Sequence, residues 1–133
     1  MQHLLSLKDY SKEQIEQILN LAKELKANPA RYADALKGKS VVTLFEKPSL
    51  RTRVTFDIGI NRRGGHAVYL DSQNGAMGNR ETVQDFAANL SRWCDAIVAR
   101  VYDHQTLVEM TKWLSCLINA LPQICPYKHS FMG

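Results

Sequence analysis

The sequence predicts an α/β fold, an open parallel sheet of about four strands with helices on both faces. Three observations predict it. Short apolar, β-branched segments alternate along the chain with segments of helical period. The connections between the apolar segments suit crossovers rather than tight hairpins. The first of those segments, "SVVTLFE" (40–46), is apolar almost throughout, the pattern of a strand covered on both faces.

The elements follow in order. "SKEQIEQILNLAKELK" (11–26) is a helix: Ser11 with Gln14 three residues on makes a capping box, and Ile15, Ile18, Leu19, Ala22 and Leu25 recur at helical spacing. Asn28-Pro29 stops it, and "ARYADALKGK" is a polar connection closed by Gly38. After the strand at 40–46 and Pro48 the period becomes helical again, with Val54 and Ile58, and Phe56 and Ile60, as pairs four apart. Gly64-Gly65 ends that helix, because glycine accepts the positive φ of a helix stop. "HAVYL" (66–70) is a second strand, and "DSQNGAMGNR" (71–80) has the Asn, Gly and Ser content of a mobile loop. Thr82 and Asp85 cap a helix carrying Val83, Phe86, Ala87 and Leu90 on one side. "AIVARV" (96–101), "HQTLVEMTKWL" (104–114) and "CLINAL" (116–121) predict a strand, a helix and a fourth strand.

A chain of 133 residues allows one domain with a substantial core, and 45% hydrophobic with 23% charged residues is the composition of a soluble globular protein. No apolar run approaches a membrane span, and "MQHLLSLKDY" lacks the features of a secretory signal, so the expected setting is cytoplasmic with no membrane partner. A net charge of +4 spread along the chain does not favour nucleic acid and suits a small anionic ligand. Cys94, Cys116 and Cys125 have no CxxC pairing and no histidine at metal-ligand spacing, so they are expected to be buried thiols and no metal site is expected.

In an open parallel sheet, ligands bind outside the carboxyl ends of the strands. That rule selects 46–53, 71–80 and 100–103. Residues 48–53 form the first turn of a helix, where free N–H groups and the positive end of the macrodipole attract anions. Ser49 and Thr52 add hydroxyl donors, and Arg51 and Arg53 add charge that a helix N-terminus otherwise disfavours. Arg100 ends an apolar strand at the same rim. The alternative reading is a Ser cap with arginines turned to water.

"FEKPSLRTRVTFDIG" (45–59) carries Ser-x-Arg-Thr-Arg, and with "GGHAVYLDS", "GNRETVQDFAANLSRW", "DAIVARVYDH" and "INAL" the chain resembles the aspartate and ornithine carbamoyltransferases, the ornithine enzymes more closely. The resemblance covers residues 1–121 and matches the amino-terminal, carbamoyl-phosphate-binding half of such an enzyme. It implies that Ser49, Leu50 (through its backbone N–H), Arg51, Thr52 and Arg100 bind carbamoyl phosphate. Arg51 and Arg100 would be the catalytic residues, and Arg53 would brace the motif through ion pairs. It further implies transfer of the carbamoyl group to the δ-amine of ornithine in arginine metabolism, without metal or organic cofactor. Homotrimers would form in which the loop 71–80 reaches a neighbouring subunit's site, although Ala76 stands where a glutamine is usual. Residues 122–133, "PQICPYKHSFMG", form a divergent tail in place of the family's His-Pro-x-Gln motif, and His129 does not take that role. With the ornithine-binding domain absent, the expectation for these 133 residues alone is binding without turnover. A non-catalytic phosphate-binding or assembly module, and an aspartate-type enzyme, are the alternatives.

Overall fold

A computed structural model of the chain describes residues 3–46, 49–71 and 82–120. Four parallel strands, β1 (Ser40–Phe45), β2 (His66–Asp71), β3 (Ala96–Arg100) and β4 (Leu117–Ala120), form one sheet in the order β2-β1-β3-β4. The helices are α1 (Lys12–Ala27), α2 (Leu50–Arg62), α3 (Val83–Trp93) and α4 (His104–Thr111). The fold class expected from the sequence is the one observed. Short 3-10 turns at Leu7–Asp9 and Pro29–Tyr32 are additions, the second lying within the segment expected to be an irregular connection.

Local chemistry accounts for the boundaries. Ser11 and Gln14 form the reciprocal capping box of α1, Ser11 N–H donating to Gln14 Oε1 at 2.9 Å and Gln14 N–H to Ser11 Oγ at 3.1 Å. Gly64 takes φ +84° just past α2, and a Cβ on Gly65 would lie 2.9 Å from Ile60 Cγ2, so one glycine serves conformation and the other serves space. α4 stops at Thr111, three residues short of its expected end, and β3 ends at Arg100 rather than Val101.

Alternation along each strand sends side chains to two cores. Val42, Leu44, Ile97, Ala99 and Ile118 pack beneath α3 and α4, against Phe86, Ala87, Leu90, Leu107 and Met110. Val41, Phe45 and Val98 pack beneath α2, with Ile60 buried and Phe56 half-buried against them. The two apolar pairs of α2 therefore separate. Phe56 and Ile60 face the sheet, whereas Val54 and Ile58 join Leu50 as an exposed stripe on the opposite side. α1 buries none of its residues, and Ile18 and Leu19 of its apolar stripe are exposed.

The strand order contains a reversal. From β1 the chain crosses through α2 to β2 on one side, then returns through α3 to β3 on the other. Helices consequently cover opposite faces, and the order reverses between the carboxyl ends of β1 and β3, the place where open sheets of this kind form a ligand crevice. Asp95 aligns these two strands at their other end: its carboxylate accepts from Ser40 N–H at 2.9 Å and its N–H donates to the Ser40 carbonyl at 2.8 Å. The resulting register sets Phe45 beside Arg100.

Candidate functional site

The β1–β3 crevice is bordered by the first turn of α2 and by the end of β3. Glu46 N–H donates to the Arg100 carbonyl at 2.9 Å, extending the β1–β3 pairing by one residue as β1 ends. Arg53 N–H donates to the Ser49 carbonyl at 3.0 Å, closing the first turn of α2. The N–H groups of Leu50, Arg51 and Thr52 precede that bond and have no acceptor within the helix.

The capping of α2 differs from that of the other helices. Ser11 caps α1, Thr82 accepts from Asp85 N–H at the start of α3, and Asp103 accepts from Gln105 N–H at the start of α4. Ser49 occupies the cap position of α2 with extended backbone, yet its hydroxyl makes no capping bond and donates instead to Thr52 Oγ1 at 2.9 Å. No acidic residue lies in that first turn. The expected alternative, an ordinary serine cap, is therefore not what forms. The positive helix end is left open beside Arg51, which is exposed and has no ion-pair partner among the described residues.

Arg100 is 6% exposed, one of two buried polar side chains among the described residues. Because Val98 faces the α2 core, strand alternation puts Arg100 on that same face, the face from which α2 rises. Among the described residues it has no ion-pair partner. Residues 49–52 and Arg100 thus border one crevice from adjacent strands.

Two acidic groups mark the outer edge. Burial pushes the Glu46 carboxyl above its ordinary value and Asp103 adds to this, while the Tyr102 N–H that it accepts from opposes it. Arg53 lies in a different environment. Its guanidinium carbon sits 3.6 Å from the centroid of the Tyr69 ring, and its Nε is 3.8 Å from Asp57 Oδ2. The ion-pair brace expected for Arg53 is thus long, and an aromatic face on β2 supplies the closer contact. Nothing in the local sequence marks Tyr69, since the contact exists only once β2 lies beside β1.

Away from the crevice, Cys94 and Cys116 are buried free thiols, as expected, with their sulfurs 4.0 Å apart. Among the described residues no cluster of His, Cys, Asp or Glu could hold a metal ion, and no helix is long and apolar enough to cross a membrane. Most of the loop 71–80, including Ala76, and the tail 122–133 with Cys125 and His129 lie outside the described residues.

Comparison with known proteins bears on this geometry. Residues 2–125 match the family described as aspartate/ornithine carbamoyltransferase, carbamoyl-P binding domain. An ornithine carbamoyltransferase of Vibrio sp. (strain 2693) is 72% identical over 107 residues, covering 80% of this chain and 36% of the relative. That of Shewanella oneidensis is 58% identical over 125 residues, covering 93% of this chain and 42% of the relative. The solved ornithine carbamoyltransferase from Pyrococcus furiosus superposes with a TM-score of 0.85 at 40% identity, over 90% of this chain and 39% of that one. The chain thus spans about two-fifths of the length of these relatives.

Proposed function

This chain belongs to the aspartate/ornithine carbamoyltransferase family, and from that premise we propose that its β1–β3 crevice binds carbamoyl phosphate for transfer to ornithine. Residues 1–121 form the carbamoyl-phosphate-binding domain in this reading. Ser49, Arg51 and Thr52, with the N–H of Leu50, hold the phosphate, and Arg100 reaches from β3 to the phosphate and the carbamoyl oxygen. The observation that carries the proposal is the uncapped start of α2. Its N–H donors and dipole end have no side chain of their own to satisfy them, while a cation stands on either side.

The chemistry follows from that placement. The neutral δ-amine of ornithine attacks the carbamoyl carbon, forming a C–N bond, and the bond to the phosphate oxygen breaks with its electron pair leaving on phosphate. The amine loses a proton, giving citrulline. Donors already aimed at the phosphate and at the carbonyl oxygen stabilise the charge that develops on both without reorganising. Joint binding of the two substrates lowers the entropic barrier. No metal or organic cofactor is needed for these steps.

Assembly as a homotrimer is part of the same proposal. Leu50, Val54 and Ile58, at positions i, i+4 and i+8 of α2, are 77%, 43% and 45% exposed and form an apolar stripe suited to a neighbouring copy. The setting implied by the reading is arginine metabolism in the cytoplasm.

Titration calorimetry with carbamoyl phosphate or inorganic phosphate tests the site. Arg51→Ala is expected to weaken binding by about 1.5–3 kcal/mol, the usual worth of a hydrogen bond to a charged group. Equal affinities in the original chain and the variant would reject the assignment.

A further inference from the structure

Arg53 poses a problem that the phosphate reading leaves open. It sits in the second half of the first turn of a helix whose positive end is already uncompensated, yet two residues from Arg51 is a rotation of roughly 200° around the helix. Its side chain therefore lies on a different side of the helix from that of Arg51. What it meets there is the face of Tyr69, at 3.6 Å from guanidinium carbon to ring centroid. Tyr69 is paired with Thr43 in register and is half-buried. Its ring also meets that of Phe45 edge-on, with centroids 5.9 Å apart and planes at 83°. Phe45 is the last residue of β1, 1% exposed and in register with Arg100. One aromatic ring therefore touches both the rigid floor of the crevice and the helix turn above it.

The connection to the anion donors is short. The backbone N–H of Arg53 closes the first turn on the Ser49 carbonyl at 3.0 Å. With its side chain held by Tyr69 and its backbone tied to Ser49, Arg53 spans the turn that presents Leu50, Arg51 and Thr52. The alternative partner, Asp57, is weaker. Its Oδ2 is 3.8 Å from Arg53 Nε, and its Oδ1 is buried with no hydrogen-bond partner, so this carboxylate is not arranged as a two-pronged clamp.

We propose that Tyr69 is a positioning residue for the anion site, its ring holding the Arg53 guanidinium against the β1 end and so fixing the first turn of α2. The inference rests on the reading of residues 49–52 as a phosphate site. Tyr69 touches no ligand in this scheme; it acts through Arg53. Removal of the ring leaves every phosphate ligand in place but lets the turn that carries them move.

The experiment measures inorganic phosphate binding to the 133-residue chain, by calorimetry at a temperature where each variant is folded. Tyr69→Leu is expected to bind about 2- to 30-fold more weakly, the range for loss of a cation–π contact between exposed and desolvated limits. Tyr69→Phe, which keeps the ring face, is expected to retain the original affinity. Arg53→Met should resemble Tyr69→Leu, and the double variant should be no weaker than either single one, because both remove the same contact. A merely structural role for Tyr69 predicts additive losses instead, and additivity overturns the inference. Undiminished affinity in Tyr69→Leu, with Arg51→Ala losing affinity, overturns it while leaving the phosphate site intact. Undiminished affinity in Arg51→Ala overturns the site reading and the inference with it. If Tyr69→Leu fails to fold, Arg53→Met carries the test, since its half-exposed side chain can be shortened without opening the core; undiminished affinity there again overturns the inference.

Discussion

Replacing Arg100 by methionine is expected to stabilise the free chain and to remove its response to phosphate. Arg100 is 6% exposed and has no ion-pair partner among the described residues, so most of its side chain leaves water with no carboxylate paired to it there. The effective penalty for a buried ion is several kcal/mol, and well-packed apolar replacements of buried ion pairs or triads are often neutral or stabilising by about 1–4 kcal/mol. Methionine retains much of the apolar stem that arginine packs against its surroundings. A gain of about 1–3 kcal/mol in a domain of this size raises the midpoint of unfolding by roughly 4–12 °C. Phosphate should reverse the order. At a hundred times its Kd it adds about 2.7 kcal/mol to the original chain and almost nothing to a variant that has lost the site. The assay is thermal unfolding followed by circular dichroism, with and without phosphate, at constant ionic strength. If Arg100→Met is less stable than the original chain without phosphate, or gains equally from it, the reasoning that Arg100 is held buried for an anion is wrong.

Further outcomes follow from the same geometry. Arg51→Lys should recover only part of the phosphate affinity lost in Arg51→Ala, because an ammonium offers no planar fork; full recovery in a calorimetric titration counts against a two-pronged contact. The hydrogen bond from Cys94 holds the Cys116 thiol down to about 7, with Ser91 adding to it against burial, and the same contact first, then burial, keeps Cys94 protonated well above its ordinary value. The unfolded chain binds more protons than the folded one between pH 7 and about 9, so stability should rise across that window, then fall beyond it as Cys94 ionises only when unfolded. Urea midpoints in Cys116→Ser should lose the rise. Ile58→Lys, in the exposed stripe of α2, should shift sedimentation toward monomer without lowering the unfolding free energy of the isolated subunit by more than about 0.5 kcal/mol, the usual limit for a surface substitution. A polypeptide of residues 1–133 incubated with carbamoyl phosphate and ornithine should bind phosphate saturably and form no citrulline above background, since the proposed residues place the carbamoyl phosphate but not the attacking amine, and transfer needs both held together. Citrulline that disappears in Arg51→Ala would overturn that expectation.

The sheet was legible because its strands announce themselves twice, by β-branched content and by the change to a 3.6-residue period after each. Strand order was not, because nothing in "AIVAR" distinguishes a strand beside β1 from one beside β2. For α2, the period marked two apolar stripes, and a helix lying on one sheet face can bury only one of them. Phe56 and Ile60 reach the core, and Val54 and Ile58 stay outside. The crevice residues could be chosen from the carboxyl-end rule alone, but the state of Ser49 could not. Serine is among the best helix caps, so its type argues for the bond it does not make here. Tyr69 left no trace in the sequence at all, since its meaning depends on a contact between β2 and α2. The proximity of Cys94 and Cys116 was hidden for the same reason, their sulfurs meeting only because α3 and the approach to β4 are neighbours.

Among the described residues, three breaches of the local rules of stability gather at one place, and the topology explains why that place was available. The helix with no side-chain cap, the arginine beside its positive end and the buried guanidinium of Arg100 all border the crevice where strand order reverses. Under the proposed reading a single anion would serve all three, filling the N–H donors and pairing with both cations. Such a site needs firm support, because the interactions that would otherwise order the turn have been given up to the ligand. The core between α2 and the sheet supplies it from one side, through Phe45 and Ile60, and the Asp95–Ser40 pairing sets the strand register from the other end. Between them Arg53 runs from the turn to the sheet, and it ends on Tyr69. Among variants that keep residues 49–52 and Arg100, loss of affinity without loss of fold is therefore expected to trace to this contact, whereas substitutions in the two cores should weaken fold and affinity together.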